Sequence, residues 1–110
     1  MTNSKMIFQV QTALQADGTS RALCKQAALS IDTDMAGHAE YFNPAELLMA
    51  ALSGCIIKGI QRVQPILNFQ LRGIEVRLEG VRQDVPPKME SIRYEIISSA
   101  VKPRPFTVGI

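Results

Sequence analysis

Asn43-Pro44-Ala45-Glu46-Leu47-Leu48-Met49-Ala50-Ala51-Leu52-Ser53-Gly54-Cys55 decides how this 110-residue chain is read. Asn43 is a good N-cap, Pro44 suits the first helical position, and Glu46 stands three residues after Asn43 in capping-box spacing. From Leu47 to Ile57 no residue is charged. A helix that is apolar on all sides must be buried on all sides. A domain this small rarely surrounds a helix by itself. The segment therefore points to a second subunit, and it carries a thiol, Cys55, into the interior.

Working outward, the spacing predicts a helix from about Pro44 to Val63, ended or kinked by Pro65, which lacks a donor and clashes with the preceding turn. Before it, Ile7 to Leu14 reads as a strand and Ala16-Asp17-Gly18-Thr19 as a turn, since Asp-Gly is a strong hairpin signal. Arg21 to Ile31 reads as a return strand in one or two pieces, and Asp32 to Phe42 as a loop. After the helix, Gly73-Ile74-Glu75-Val76-Arg77-Leu78-Glu79 alternates strictly. That places Ile74, Val76 and Leu78 on one face and the charges in water. Ser91-Ile92-Arg93-Tyr94-Glu95-Ile96 repeats the pattern, with a stiff connection over Asp84-Val85-Pro86-Pro87-Lys88. The order is strand, strand, helix, strand, strand: an α+β chain of antiparallel strands around a long central helix. The tail from Val101 to Phe106 is no helix interior, because Pro103 and Pro105 forbid it.

Composition narrows the classes. Hydrophobic residues make up 46% and charged residues 20%, so the chain is globular rather than disordered. The net charge is +2 and the basic residues are scattered. No basic stripe or aromatic platform serves nucleic acid, and no apolar run spans a bilayer. The N-terminal stretch has no signal-peptide apolar region, because Gln9 and Gln11 interrupt it. A cytoplasmic, reducing setting follows, in which Cys24 and Cys55 do not make a disulfide scaffold. No ligand spacing for a metal and no cofactor motif appears. His38, near Asp32, Asp34 and Glu40, reads as part of a polar loop facing solvent. Gly54 and Gly59 each cost roughly 1 kcal/mol against alanine in a helix. Close packing or space for a substrate would offset that.

The helix segment, followed by Gly80-Val81-Arg82-Gln83-Asp84-Val85-Pro86-Pro87 and Ile92, resembles the OsmC/Ohr family of osmotically inducible and organic-hydroperoxide-resistance proteins. Order and spacing fit from about Ile7 to Ala100. The resemblance implies an α+β fold and an intertwined homodimer whose sheets wrap two central helices. It implies that Cys55 attacks a hydroperoxide, with an arginine and a glutamate of the partner subunit steadying the thiolate. Arg21 is the best candidate for that arginine, beside its reading as a solvated strand residue. Glu46 is a candidate orienting acid, beside its reading as a helix cap; the peroxidases' glutamate aligns with Ala45, one position earlier. The family's resolving cysteine, on a later helix, has no counterpart before Ile110, and Cys24 does not match its place. The reading is thus a single OsmC-like domain over residues 1–110 without the family's C-terminal helix.

Two functions compete. One is a thiol peroxidase for organic hydroperoxides, recharged by an external dithiol. The other is a non-enzymatic dimer that binds a small apolar ligand or serves a structural role. Helix geometry separates Cys55 from Glu46 by nine residues, opposite faces about 13 Å apart along the axis, so only a second chain could bring the two together. As a lone cysteine within a helix, Cys55 also reads as a small hydrophobe. Neither reading pairs the cysteines: mass spectrometry of peroxide-treated protein, run without reductant, should find no Cys24–Cys55 crosslink within one chain, and a dominant one would restore a two-cysteine mechanism.

Overall fold

The computed structural model describes residues 4–67, 71–100 and 106–109. Six strands and one helix follow in the order β1 (Gln11–Leu14), β2 (Thr19–Cys24), β3 (Ala27–Asp32), α1 (Pro44–Leu67), β4 (Leu71–Gln83), β5 (Lys88–Ala100) and β6 (Phe106–Gly109). The chain divides into two compact units, Met1–Leu48 and Met49–Ile110, the boundary falling inside α1.

The first unit is an antiparallel meander in the order β1-β2-β3. Its first turn is built as the Asp-Gly pair demands. Gly18 has φ +88°, and Asp17 Oδ1 accepts bonds from the Thr19 amide at 3.0 Å and the Thr19 hydroxyl at 2.6 Å. The return strand stands as two pieces, because Lys25 turns the chain at φ 56° and Cys24 pairs with Ala27. The strand expected over Ile7–Leu14 is shortened to Gln11–Leu14 for the same reason. Gln11 already pairs with Leu23, so β2 turns away before it can offer rungs to the residues preceding Gln11. Met6, Ile7, Phe8 and Val10 are exposed.

In the second unit β4 and β5 form a long antiparallel hairpin, with β6 on the far side of β5. The alternation holds. Ile74, Val76, Leu78 and Gly80 pair with Ser98, Ile96, Tyr94 and Ile92, a half-buried face. Arg77 lies on the opposite side, 2.6 Å from Glu75 and opposite Glu95 across the strands. The Glu75 carboxylate beside it raises the Arg77 guanidinium further above its ordinary range. Both strands extend beyond the alternating stretches, so the Pro86-Pro87 connection is the hairpin turn. At Gly80 an added Cβ would stand 2.7 Å from both Met49 Sδ and Met89 Cε, so the start of α1 in this unit lies against this face. The tail read as non-helical falls mostly outside the described residues; from Phe106 it is strand β6.

The helix starts at Pro44 as expected but runs on to Leu67, through Pro65. Proline disturbs the turn before it, whereas the two residues after it need only keep helical dihedrals. Gln64 then accepts the Leu71 amide at 2.9 Å. The expectation of a buried helix is not met within one chain: no residue of α1 is fully buried. No described helix is long and apolar enough to cross a membrane.

The tightest demand on the first unit is at Gly18, where a Cβ would come within 2.9 Å of the Asp34 carboxyl carbon at a φ disfavoured for other residues. Gly18→Ala should lower stability by about 1–2 kcal/mol, measured as a fall in urea midpoint at unchanged slope. A neutral result would mean that the turn relaxes.

Candidate functional site

Cys55 sits in the uncharged part of α1, a free thiol exposed in the single chain. Leu52, Val63 and Ile66 stand three, eight and eleven residues from it, spacings that put them on its side of the helix. All three are exposed, Ile66 to 80%. Gly54 precedes Cys55 and Gly59 follows it by one turn; an added Cβ at either would meet nothing within 4 Å. The packing that could offset these glycines is therefore not supplied by the described residues, and space for a substrate is the other reading. Ser53, the other small neighbour, donates its hydroxyl to the Met49 carbonyl at 3.0 Å, inside the helix.

No described side chain hydrogen-bonds or ion-pairs with Cys55 Sγ. Lys58 was not singled out by the sequence reading. It stands three residues after Cys55, and Arg62 four beyond that, both exposed on neighbouring turns. Spacings of three and four place such side chains next to one another on a helix, and that spacing is the signal that could have found them.

Glu46 is committed locally. Its Oε1 accepts the Asn43 amide at 2.9 Å, and its own amide donates to Asn43 Oδ1 at 2.8 Å. This is the reciprocal capping box that the spacing predicted, reinforced by a Leu47 amide bond to the Asn43 carbonyl at 2.9 Å. Arg21 lies exposed on β2, between Ala13 of β1 and Ser30 of β3, and enters no ion pair among the described residues. It belongs to the first unit and Cys55 to the second.

Cys24, expected in the core, is only half-buried. It lines an open depression of about 450 Å³ with Ile7, Phe8, Gln9 and Lys25. It sits at the end of β2, where the sheet stops, so no layer covers it. His38 is more organised than a solvent-facing loop residue. Its Nε2 lies 3.0 Å from Asp34 Oδ2, and its ring meets Tyr41 edge-on at 6.0 Å. Among the described residues no group of three or more His, Cys, Asp or Glu side chains is arranged to hold a metal ion.

The family profile described as OsmC-like protein matches residues 37–104, more than half of the chain. The chain belongs to the OsmC-like family. The match includes all of α1, with Cys55, and the β4–β5 hairpin. The fold agrees with that of an OsmC-like protein from Mycoplasma pneumoniae, with a TM-score of 0.72 at 17% identity. The alignment covers 81% of this chain and 66% of that one, so this OsmC-like chain spans just under two thirds of its structural neighbour. No curated protein matches it.

Because Glu46 is engaged in the cap, Glu46→Gln should keep both reciprocal bonds and change stability by less than about 0.5 kcal/mol. Glu46→Ala should cost about 1 kcal/mol. Thermal unfolding followed by circular dichroism at 222 nm distinguishes them; equal losses for both would mean that the charge, not the cap, is what matters.

Proposed function

We propose that this OsmC-like chain acts as a homodimeric thiol peroxidase in which Cys55 reduces an organic hydroperoxide. The observation that carries the reading is the exposed Cys55 thiol on an apolar helical stripe. An apolar peroxide would meet matching surface there, and its O–O bond would meet a nucleophile. In the first step the Cys55 thiolate attacks the peroxide oxygen. The S–O bond forms, the O–O bond breaks, and the alkoxide leaves as an alcohol after taking a proton. Cys55 is left as a sulfenic acid. Both cysteines are free thiols, and in this reading an external dithiol reduces the sulfenic acid. One thiol of the dithiol displaces water to form a mixed disulfide; the other releases Cys55 and closes the reductant's own disulfide.

The dimer is supported by the apolar surface of α1 and by the empty space at Gly54 and Gly59, which suits a close-packed partner helix. In this arrangement residues 1–110 act as one domain, and Lys58 and Arg21 are the cations offered to a thiolate, which a nearby positive charge stabilises. A cytoplasmic compartment would supply the dithiol. One observation favours the second reading: Glu46 is held by Asn43, and no described acid or base hydrogen-bonds Cys55 Sγ. By that reading the same apolar surface holds a small apolar ligand or serves only assembly.

Sedimentation at micromolar concentration should give a dimer, and Leu52→Asp should disrupt it by burying an unpaired charge. With excess dithiothreitol the protein should consume cumene hydroperoxide. Cys55→Ser should abolish turnover, and Cys24→Ser should leave it intact. A rate no greater than that of free cysteine would favour the non-enzymatic reading, and a soluble, folded monomer would remove the dimer from both.

A further inference from the structure

Gly80 stands well inside β4, opposite Ile92 across the ladder, where a strand ordinarily carries a side chain to pack. Its place is taken by sulfur. A Cβ built there would meet Met49 Sδ at 2.7 Å, Met89 Cε at 2.7 Å and Met49 Cε at 3.4 Å. A glycine within a strand marks a point of close approach. The group that approaches here is the thioether of Met49 from α1, with the methyl of Met89 closing in from β5. Both methionines are half-buried, so the contact is packed yet within reach of solvent. Met6 and Met35, by contrast, are 78% and 100% exposed.

We propose that Met49 is an oxidation switch: a hydroperoxide converts its thioether to the sulfoxide, and the sulfoxide releases the start of α1 in this unit from the β4–β5 hairpin. The chemistry is self-contained. A lone pair on Sδ attacks the terminal peroxide oxygen. The S–O bond forms as the O–O bond breaks, and the hydroperoxide's own proton passes to the departing alkoxide, which leaves as an alcohol. The thioether gives up two electrons and the peroxide takes them.

The seat at Gly80 suits an apolar sulfur and not its oxide. A sulfoxide is polar and carries one more heavy atom on that sulfur. Kept in the contact, the oxygen would press on the Gly80 backbone or on Met89, and it would forgo hydrogen bonds with water. The side chain therefore swings out, and the seat is left empty. Met6 and Met35 also oxidise, but they are exposed and have little packing to lose. Met49 lies six residues before Cys55. That spacing is about 9 Å along the axis and a third of a turn around it. The switch needs only a hydroperoxide and stands whether or not Cys55 turns over. Sulfoxide reduction returns the thioether, so the release is reversible.

The test treats the full chain with tert-butyl hydroperoxide and then with dithiothreitol, which returns a sulfenic acid to the thiol. Peptide mass spectrometry should find an added oxygen first on Met35 and later on Met49. The melting temperature should fall by roughly 5 °C as Met49 is modified, and not as Met35 is. The two stereospecific methionine sulfoxide reductases should restore it, whereas dithiothreitol alone should not. Met49→Leu, which keeps an apolar contact, should show no such fall, and Cys55→Ser should show it in full, which separates the switch from the peroxidase reading. The reductase arm needs no variant, so it decides even if Met49→Leu folds poorly. Unchanged melting with Met49 oxidised, a fall that the reductases leave in place or that persists in Met49→Leu, or an unmodified Met49 when Met35 is fully oxidised would each overturn the proposal.

Discussion

The reciprocal bonds between Asn43 and Glu46 set where α1 begins, and much else follows from that point. A helix that starts at Pro44 puts Met49 over Gly80 and Met89, which fixes its contact with the β4–β5 face at one end. With that side assigned, helical periodicity turns Cys55 and Ile66 away from it, whereas Leu52, three residues on, and Val63, fourteen on, lie nearer the Met49 side. The cap is held in turn from the chain side, where the Asp32 amide pins the Phe42 carbonyl. A few short-range hydrogen bonds between neighbours thus settle which surface receives the thiol.

The legible parts of the fold were those governed by nearest neighbours. The cap, the Asp-Gly turn and the alternation in Ile74-Glu75-Val76-Arg77-Leu78 need only local chemistry, and they stand where the sequence placed them. What was missed depends on partners distant in sequence or on subtler backbone geometry. The break between β2 and β3 stayed open in the sequence, and its place rests on Lys25 at positive φ, a conformation that a lysine does not advertise. The shortening of β1 follows from that turn and could not be seen from Ile7–Val10 themselves. Pro65 reads as a stop, yet a proline near a helix end costs little once the turn before it has adapted.

The candidate site was legible to a lesser degree. Cys55 emerged because an uncharged helix with one thiol is unusual, and the OsmC-like family gives that position a context. Glu46 was visible both as a cap and as an acid, and its hydrogen bonds commit it to capping. Arg21 stays an exposed strand residue, whereas Lys58 and Arg62 are cations close to Cys55 along the chain. The resemblance points to a distant arginine, whereas Lys58, three residues along the helix, has the ordinary reading of a solubilising charge.

One feature of the second sheet bears on how the molecule survives in concentrated solution. In the order β4-β5-β6, β4 is an outer strand of 13 residues, with no ladder bonds on one side of its backbone among the described residues. A rim of that length is a template on which other chains could crystallise into fibrils. Along it Arg72, Glu75, Arg77, Glu79 and Arg82 place charge on every second or third position, and breaks in register fall at Leu71/Gly73 and Val81/Arg82, near its two ends. An incoming strand would have to accept charged side chains along its length and follow a kinked rail. The same alternation that directs Ile74, Val76 and Leu78 inward therefore also acts as colloidal protection.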